Sequence, residues 1–455
     1  MDQAFLKQMQ DMLKDEYPQY LESLNQKENR GFRVNTLKIN EKDFFSLFSC
    51  AYHKSPFAKN GYYLDEDISI GKTPFYAAGL LYMQEPSASS AVTVLDVKPS
   101  MKVLDLCAAP GSKSTQILEM LNGEGLLVAN EYVRDRASIL KENIERAGAY
   151  NAIITNADTK DIADAFEGFF DAVLCDAPCS GEGMFRKEEK AIENWSLKNV
   201  EQCALRQEYI LENAYRCLNK GGVLVYSTCT FNLSENENQI VNFINKHDDM
   251  EIIDAGVSFG RKGFPSTIAT EKAVRIFPMD EGEGHFICKM KKMGKPVSKN
   301  LKELKSDPVP SSAKQFFRQM LENEYPYLFC YKNKVYGGVV PFYSTGKANL
   351  IRHQVYLGED VRGRFEPSHA LFMSSYTKFK KVIELTDDEV MLFLKGQTIS
   401  KKCEKGYYAV NYRNYVIGFV KSDGNTLKNK YLLIGLSVFC VALIVLSFFE
   451  GDAVA

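Results

Sequence analysis

Val103-Leu-Asp-Leu-Cys-Ala-Ala-Pro-Gly-Ser-Lys-Ser-Thr115 decides how this chain is read. Val103, Leu104 and Leu106 are the apolar residues of a strand and bracket Asp105. A turn of small residues follows, Cys107 to Ser112, and a helical pattern resumes through Gln116, Ile117 and Leu118. A strand that ends in a turn without bulky side chains, with a helix just beyond, lets backbone N–H groups approach a ligand closely. In a parallel sheet such turns lie at the carboxyl ends of strands, where ligands bind. A phosphate loop would need Gly where Cys107 and Ser112 stand, so nucleotide hydrolysis is disfavoured. The alternative is an ordinary strand–turn–helix unit.

Outward from this stretch, strands and helices alternate. Leu126–Asn130 is an apolar strand running into Glu131. Val133–Ala147 reads as a helix, with Ile139, Leu140 and Ile144 on one face and Gly148 as its stop. Ala152–Thr155 is a third strand, followed by Asn156-Ala-Asp158, and Ala172–Cys175 is a fourth, ending at Asp176. A long helix over Val200–Leu218, a Gly221-Gly222 turn and the strand Val223–Tyr226 come next. Ser234 and Glu237 form a capping box for a further helix. The alternation predicts an α/β fold with a parallel, doubly wound sheet. Carboxylates recur at strand ends: Asp105, Glu131, Asp158 and Asp176. An acid after the second strand suits ribose hydroxyls, and Asp158 suits a base edge, so the pattern points to an adenosine-bearing cofactor. Taken singly, each carboxylate does no more than cap a helix.

A length of 455 residues exceeds one ordinary domain. An apolar fraction of 45% with 25% charged residues is that of a globular protein. The net charge of −2 excludes a uniformly basic coat, while 56 Lys and Arg leave room for local basic faces. The 11 cysteines contain no Cys-x-x-Cys pair and the five histidines are scattered, so no metal is expected. Met1–Glu16 is polar and charged, which is no secretory signal and predicts a reducing, cytoplasmic setting.

Residues 1–60 read as a small cap, opened by a helix with Phe5, Met9, Met12 and Leu13 on one face. Arg30–Lys38 alternates like a half-buried strand, whose outward Arg33, Asn35 and Lys38 either meet phosphate and bases or are simply solvated. Gly79–Ala91 is placed to close one side of the pocket. Lys289–Lys314 carries eight lysines and reads as a basic linker. Tyr407–Val420 has a hairpin pattern around Arg413-Asn414, belonging either to an RNA-binding β module or to a plain aromatic core. Tyr431–Phe449 is an uncharged run long enough for a short membrane-spanning helix. Lys428 and Lys430 before it would keep residues 1–430 in the cytoplasm. A buried terminal helix or a tail foreign to the protein are the other readings.

Two cysteines stand apart from Cys175, Cys203 and Cys217, which read as small buried hydrophobes. Cys179, in Asp176-Ala-Pro-Cys-Ser-Gly-Glu-Gly183, and Cys229, in Ser227-Thr-Cys-Thr230, lie in polar small-residue loops at the ends of successive strands. Adjacent strands would bring both to one rim of the sheet. With Asp105-x-Cys-Ala-Ala-Pro-Gly-Ser-Lys113, these segments resemble the motifs of the Sun/Nol/Nop family of S-adenosylmethionine-dependent RNA cytosine-5 methyltransferases. The resemblance spans roughly residues 5–430. Gly181-Glu-Gly-Met-Phe-Arg-Lys187 and the long C-terminal part resemble the branch that acts as bacterial ribosomal small-subunit methyltransferase F.

The resemblance implies an RNA-binding cap (1–60), a Rossmann-like core (61–290) and the basic linker (291–315). A first C-terminal domain (316–394) and a PUA-like RNA-binding module (395–430) would follow, with the apolar tail (431–449) outside the family pattern. It implies S-adenosyl-L-methionine as cofactor and ribosomal RNA, or the small ribosomal subunit, as partner of a monomer. Cys107, Ala108, Ala109, Pro110, Gly111, Ser112 and Lys113 would hold the cofactor's methionine end, Glu131 its ribose and Asp158 its adenine. Asp176 would lie between cofactor and target base, Cys229 would be the nucleophile, and Cys179 would assist product release. A transfer-RNA cytosine-5 methyltransferase and a non-catalytic ribosome assembly factor are the competing implications.

Overall fold

The computed structural model describes residues 1–66 and 68–430. Its centre is a ten-stranded sheet: β1 (Lys102–Asp105), β2 (Leu126–Asn130), β3 (Ala152–Asn156), β4 (Phe170–Asp176), β5 (Leu218–Thr228), β6 (Met250–Ile252), β7 (Arg261–Lys262), β8 (Val274–Ile276), β9 (His285–Lys292) and β10 (Asn349–His353). The order is β7-β8-β9-β5-β4-β1-β2-β3-β10, with β6 paired to β9. The five strands β3-β2-β1-β4-β5 are parallel. The sheet is nevertheless mixed, because β9 lies antiparallel to both β5 and β8, and β10 antiparallel to β3. The chain turns directly from β8 into β9 without a helical crossover, and such a return is antiparallel.

Six helices flank the parallel block: α1 (Ser90–Leu95), α2 (Ser112–Leu121), α3 (Arg134–Arg146), α4 (Thr159–Phe166), α5 (Leu197–Cys217) and α6 (Glu237–Lys246). Strand residues alternate between them. Leu104, Val128, Ile153, Val173 and Leu224 pack with Ile162, Phe166, Leu211 and Ile240 of α4–α6. Val103, Leu127, Ala129, Leu174 and Val225 pack with Val92, Ile117 and Leu140 of α1–α3. The period of two carries past the apolar core. Asp105, Asp176 and Ser227 therefore leave their strand ends on the α1–α3 side.

The N-terminal helix Gln3–Leu13 buries Phe5, Met9 and Leu13, with Phe5 edge-on to Phe185 and Trp195. Strand Gly31–Val34 lies between Gly61–Leu64 and Leu81–Met83 in a four-stranded antiparallel sheet, and all four of its residues are buried. The outward Arg33, Asn35 and Lys38 expected from the alternation are thus corrected: sheet neighbours on both sides and α2 beyond them leave no solvent face. Arg33 donates to Gln84 Oε1 (2.7 Å), Ser112 O (2.8 Å) and Thr115 Oγ1 (2.8 Å) and pairs with Glu119. Asn35 donates to Gly79 O (2.7 Å) and Ala147 O (2.8 Å). Lys38 donates to Ala78 O and Arg146 O, and burial pushes its ammonium down to about 7. These three side chains join the cap to α2 and α3. Arg33→Met leaves Glu119 buried without its cation, which is expected to cost about 3–5 kcal/mol of stability, read as a lowered urea midpoint.

Beyond β9, which already contains Lys289, Lys291 and Lys292 of the expected linker, the C-terminal region returns β10 to the edge of the central sheet. Tyr327–Tyr331 and Lys334–Gly338 before β10 join Val355–Val361 and Arg364–Pro367 after it in a four-stranded antiparallel sheet, and a five-stranded mixed sheet follows. The hairpin Gly406–Tyr412/Tyr415–Ser422 is present, and its turn residues Arg413 and Asn414 have φ of 52° and 69°, as a tight hairpin turn requires. The membrane anchor expected at the C-terminus is set aside: among the described residues no helix is long and apolar enough to cross a membrane. Residues 431–449 themselves lie outside the described residues.

Candidate active site

The turn after β1 is held from below by Asn130 at the end of β2, whose Nδ2 donates to Leu106 O (3.2 Å) and Ala157 O (3.0 Å). Arg136 and Asn143 of α3 hold its outer side through Ala109 O (3.0 Å) and Pro110 O (2.8 Å). Gly111 has φ of 109°, and a Cβ there would stand 3.2 Å from Leu140 Cδ1. A side chain at this position is therefore both strained and crowded. Helix α2 starts at Ser112, so the N–H groups of its first turn are free of helical partners and suited to a carboxylate.

Asp105 is buried beneath the turn. Ser114 donates to its Oδ2 at 2.6 Å, while Oδ1 has no partner among the described residues. Burial pushes this carboxyl up to about 7. The sequence marked Asp105 as a strand-end acid but gave no sign that one oxygen would be left open. Glu131 follows β2 and accepts from Val133 N (2.9 Å). Asp158 caps α4 through Lys160 N (2.8 Å) and accepts from Tyr209 OH (2.8 Å). Tyr132, between these two acids in the chain, is 71% exposed.

The loops after β4 and β5 meet. Cys179 and Cys229 are free thiols with their sulfurs 3.2 Å apart. The Cys179 thiol is pushed well up, first by its contact with Cys229 and then by burial. Either sulfur can be the donor in this contact. Asp176 accepts from Ser227 Oγ (2.7 Å) and from Lys113 Nζ (2.8 Å), joining the β4 end to α2. Burial works to lower the Lys113 ammonium, but the Asp176 carboxylate more than offsets it and holds it above the ordinary lysine value.

Two buried acids fix the cysteine loops, and neither was singled out in the sequence. Glu235 accepts from Ser180 N (3.0 Å), from the Ser180 hydroxyl and from Gln207 Nε2 (2.8 Å), while Ser180 Oγ also meets Thr230 Oγ1 (2.8 Å). Glu235 thus holds Ser180, the residue after Cys179, and the Ser180 hydroxyl in turn meets Thr230, the residue after Cys229. Burial pushes Glu235 up to about 7. Glu182 accepts from Phe231 N (2.8 Å) and Trp195 Nε1 (3.0 Å). The capping box expected from Ser234 and Glu237 is not formed. Helix α6 starts at Glu237, whose N-cap Asn236 makes no side-chain capping bond, and Glu237 instead turns inward to Arg275. An arginine in the core outweighs one backbone amide at a helix end.

Comparison with known proteins bears on this arrangement. Residues 92–291 match the family described as 16S rRNA methyltransferase RsmB/F. Residues 1–86 match the N-terminal domain of 16S rRNA methyltransferase RsmF, and residues 380–432 its PUA domain. The ribosomal RNA small subunit methyltransferase F of Shewanella piezotolerans is 32% identical over 435 residues, covering 88% of this chain and 89% of that one. The same-named protein of Aeromonas salmonicida is 31% identical over 438 residues, covering 88% and 89%. Among solved structures, a methyltransferase homolog from Pyrococcus horikoshii superposes with a TM-score of 0.59 at 28% identity, over 64% of this chain and 96% of that one. NSun6 from the same organism, solved with SFG, gives 0.58 at 22% identity over 65% and 99%, a likeness of fold.

Proposed function

The chain belongs to the 16S rRNA methyltransferase RsmB/F family, in the branch of ribosomal RNA small subunit methyltransferase F, and we propose that it methylates C5 of a cytosine in small-subunit ribosomal RNA through a Cys229–C6 adduct. The observation that carries this reading is the pair of sulfurs 3.2 Å apart beside the Lys113–Asp176 ion pair. A methyl transfer to nitrogen or oxygen needs no thiol. C5 of cytosine does, because it is a poor nucleophile until a thiolate adds to C6.

The residues fit S-adenosylmethionine. The free N–H groups at the start of α2, the turn Cys107–Gly111 that Gly111 keeps open, and the carboxylates of Glu131 and Asp158 suit a carboxylate, a ribose and an adenine in turn. The open Oδ1 of buried Asp105 calls for a donor at the same place. When bound, the cofactor supplies a methyl group on a cationic sulfur.

The chain's own residues do the rest. The Cys229 sulfur, as a thiolate whose proton has passed to solvent, forms a bond to C6, and the C5–C6 π electrons move onto C5 and into the ring. Asp176 shares a Lys113 proton across 2.8 Å, and that ion pair meets the charge growing at N3. After transfer, a water, or the Cys179 sulfur once its own proton has passed to solvent, takes the C5 proton; the electrons of the C–H bond restore C5=C6 and expel the Cys229 sulfur as a thiolate. The target base has to be unstacked to enter. Incubating the full chain with unmethylated 16S rRNA and S-adenosylmethionine, followed by nucleoside analysis, tests the proposal: 5-methylcytidine is expected. Methylation only at other atoms, or only of transfer RNA, overturns it.

A further inference from the structure

His285 is absorbed by nothing above. It opens β9, which runs antiparallel to β5 with Ile287 opposite Ser227 and Phe286 opposite Thr228. The ladder ends there; Cys229 follows the end of β5 and His285 begins β9, with Gly284 and the Cys229 carbonyl both against Gly183. Ile287 packs on the α1–α3 side of the sheet, so two residues earlier His285 faces that side too, with Asp176 and Ser227. Lys113, Asp176 and Lys187 are the charged groups that act on it.

The hydrogen bonds around it fix its tautomer. Glu85 accepts from Ser87 N (2.8 Å), Ala88 N (2.9 Å) and Ser87 Oγ (2.6 Å). The Ser87 hydroxyl proton is thereby committed to Glu85. The Ser87 oxygen then accepts from Glu283 N (3.2 Å) and from His285 Nδ1 (3.2 Å). Nδ1 therefore carries the ring proton, and Nε2 presents a lone pair. Nε2 has no hydrogen-bond partner among the described residues, and it is not one of the polar atoms sealed from solvent. Burial pushes the ring down to about 3, so it stays neutral at any physiological pH. The Glu85–Ser87–His285 chain thus ends in one fixed acceptor at the rim that holds Cys229.

Cytosine offers a donor at C4, the N4 amino group, where uracil offers the acceptor O4. We propose that His285 Nε2 accepts a hydrogen bond from the N4 amino group of the target base and thereby selects cytosine over uracil. This rests on the cytosine reading above. A fixed acceptor facing O4 leaves two lone pairs opposed with no proton between them, which is how a buried polar site rejects an isostere.

The test starts from 16S rRNA in which the wild-type protein's target has been mapped. Transcripts are then made with cytosine, uracil or pyrimidin-2-one, which lacks the amino group, at that position. Wild type is expected to lose about 10–100-fold in kcat/KM on pyrimidin-2-one, the scale of one buried hydrogen bond. His285→Phe is expected to lose a similar factor on cytosine, to lose nothing further on pyrimidin-2-one, and to discriminate cytosine from uracil at least tenfold less well. S-adenosylmethionine affinity should stay unchanged in the variant. His285→Gln, whose amide oxygen can replace Nε2, should recover part of the rate on cytosine, and carries the same comparison if His285→Phe does not fold. Losses that multiply independently, or undiminished discrimination against uracil, overturn the role of His285 alone. If the wild type methylates no cytosine at all, the cytosine reading falls first.

Discussion

Cys229→Ala is expected to lower methyl transfer to 16S rRNA by at least about 10⁴-fold, the order seen when a covalent nucleophile is removed from a site that otherwise stays intact, and to abolish covalent protein–RNA adducts. The local geometry makes the deletion clean. The Cys229 carbonyl accepts from Gly183 N (2.9 Å) and Thr230 meets Ser180, so the loop is held by backbone and neighbouring hydroxyls rather than by the sulfur. The ion pair of Lys113 and Asp176 stays, and with it the cofactor side of the site. Binding of S-adenosylmethionine should therefore be unaffected while chemistry stops. Single-turnover transfer of a labelled methyl group and denaturing gels of the RNA mixture measure both effects. A Cys229→Ala protein that still transfers methyl groups at a tenth of the normal rate would refute the nucleophile assignment.

The features the sequence carried best are those with short-range causes. The period-two strands β1–β5 and the helices between them follow from local apolar spacing, and the hairpin turn at Arg413-Asn414 from local backbone chemistry. Strand order follows less directly. That β4 and β5 are neighbours, and hence that Cys179 and Cys229 touch, could be expected only from the rule that ligand-binding turns share one rim. Long-range electrostatics left no local trace. Arg33 alternates like a solvent-facing residue because the alternation records only polarity, while Glu119, 86 positions away, makes its burial tolerable. Glu237 looked like a helix-start acid for the same reason, since Arg275 is distant in sequence, and Glu235 drew no notice because Ser180 and Gln207 are distant from it. His285 was invisible altogether. Its meaning depends on a register with β5 and on a hydroxyl nearly two hundred residues earlier.

Cys179→Ser is expected to do the opposite of Cys229→Ala: the first methyl group is transferred, but the protein stays covalently attached to its RNA. Before substrate arrives, contact with Cys229 and then burial hold the Cys179 thiol well up. Once Cys229 has become a thioether, that contact no longer opposes ionisation of Cys179, whose sulfur becomes the nearest proton acceptor to C5. Serine keeps the size of the side chain and the bonds that Ser180 and Glu235 make to the loop. Its hydroxyl, far less acidic than a thiol, cannot take the proton. Loss of a positioned base typically costs about 10²–10⁴-fold. Because only elimination needs this base, that loss should fall on release while addition and methyl transfer proceed. The readout is a stoichiometric, denaturation-resistant adduct containing the transferred methyl group, with turnover reduced by the same factor. Should Cys179→Ser instead lose the adduct while Cys229→Ala accumulates it, Cys179 is the nucleophile and the roles of the two sulfurs are exchanged.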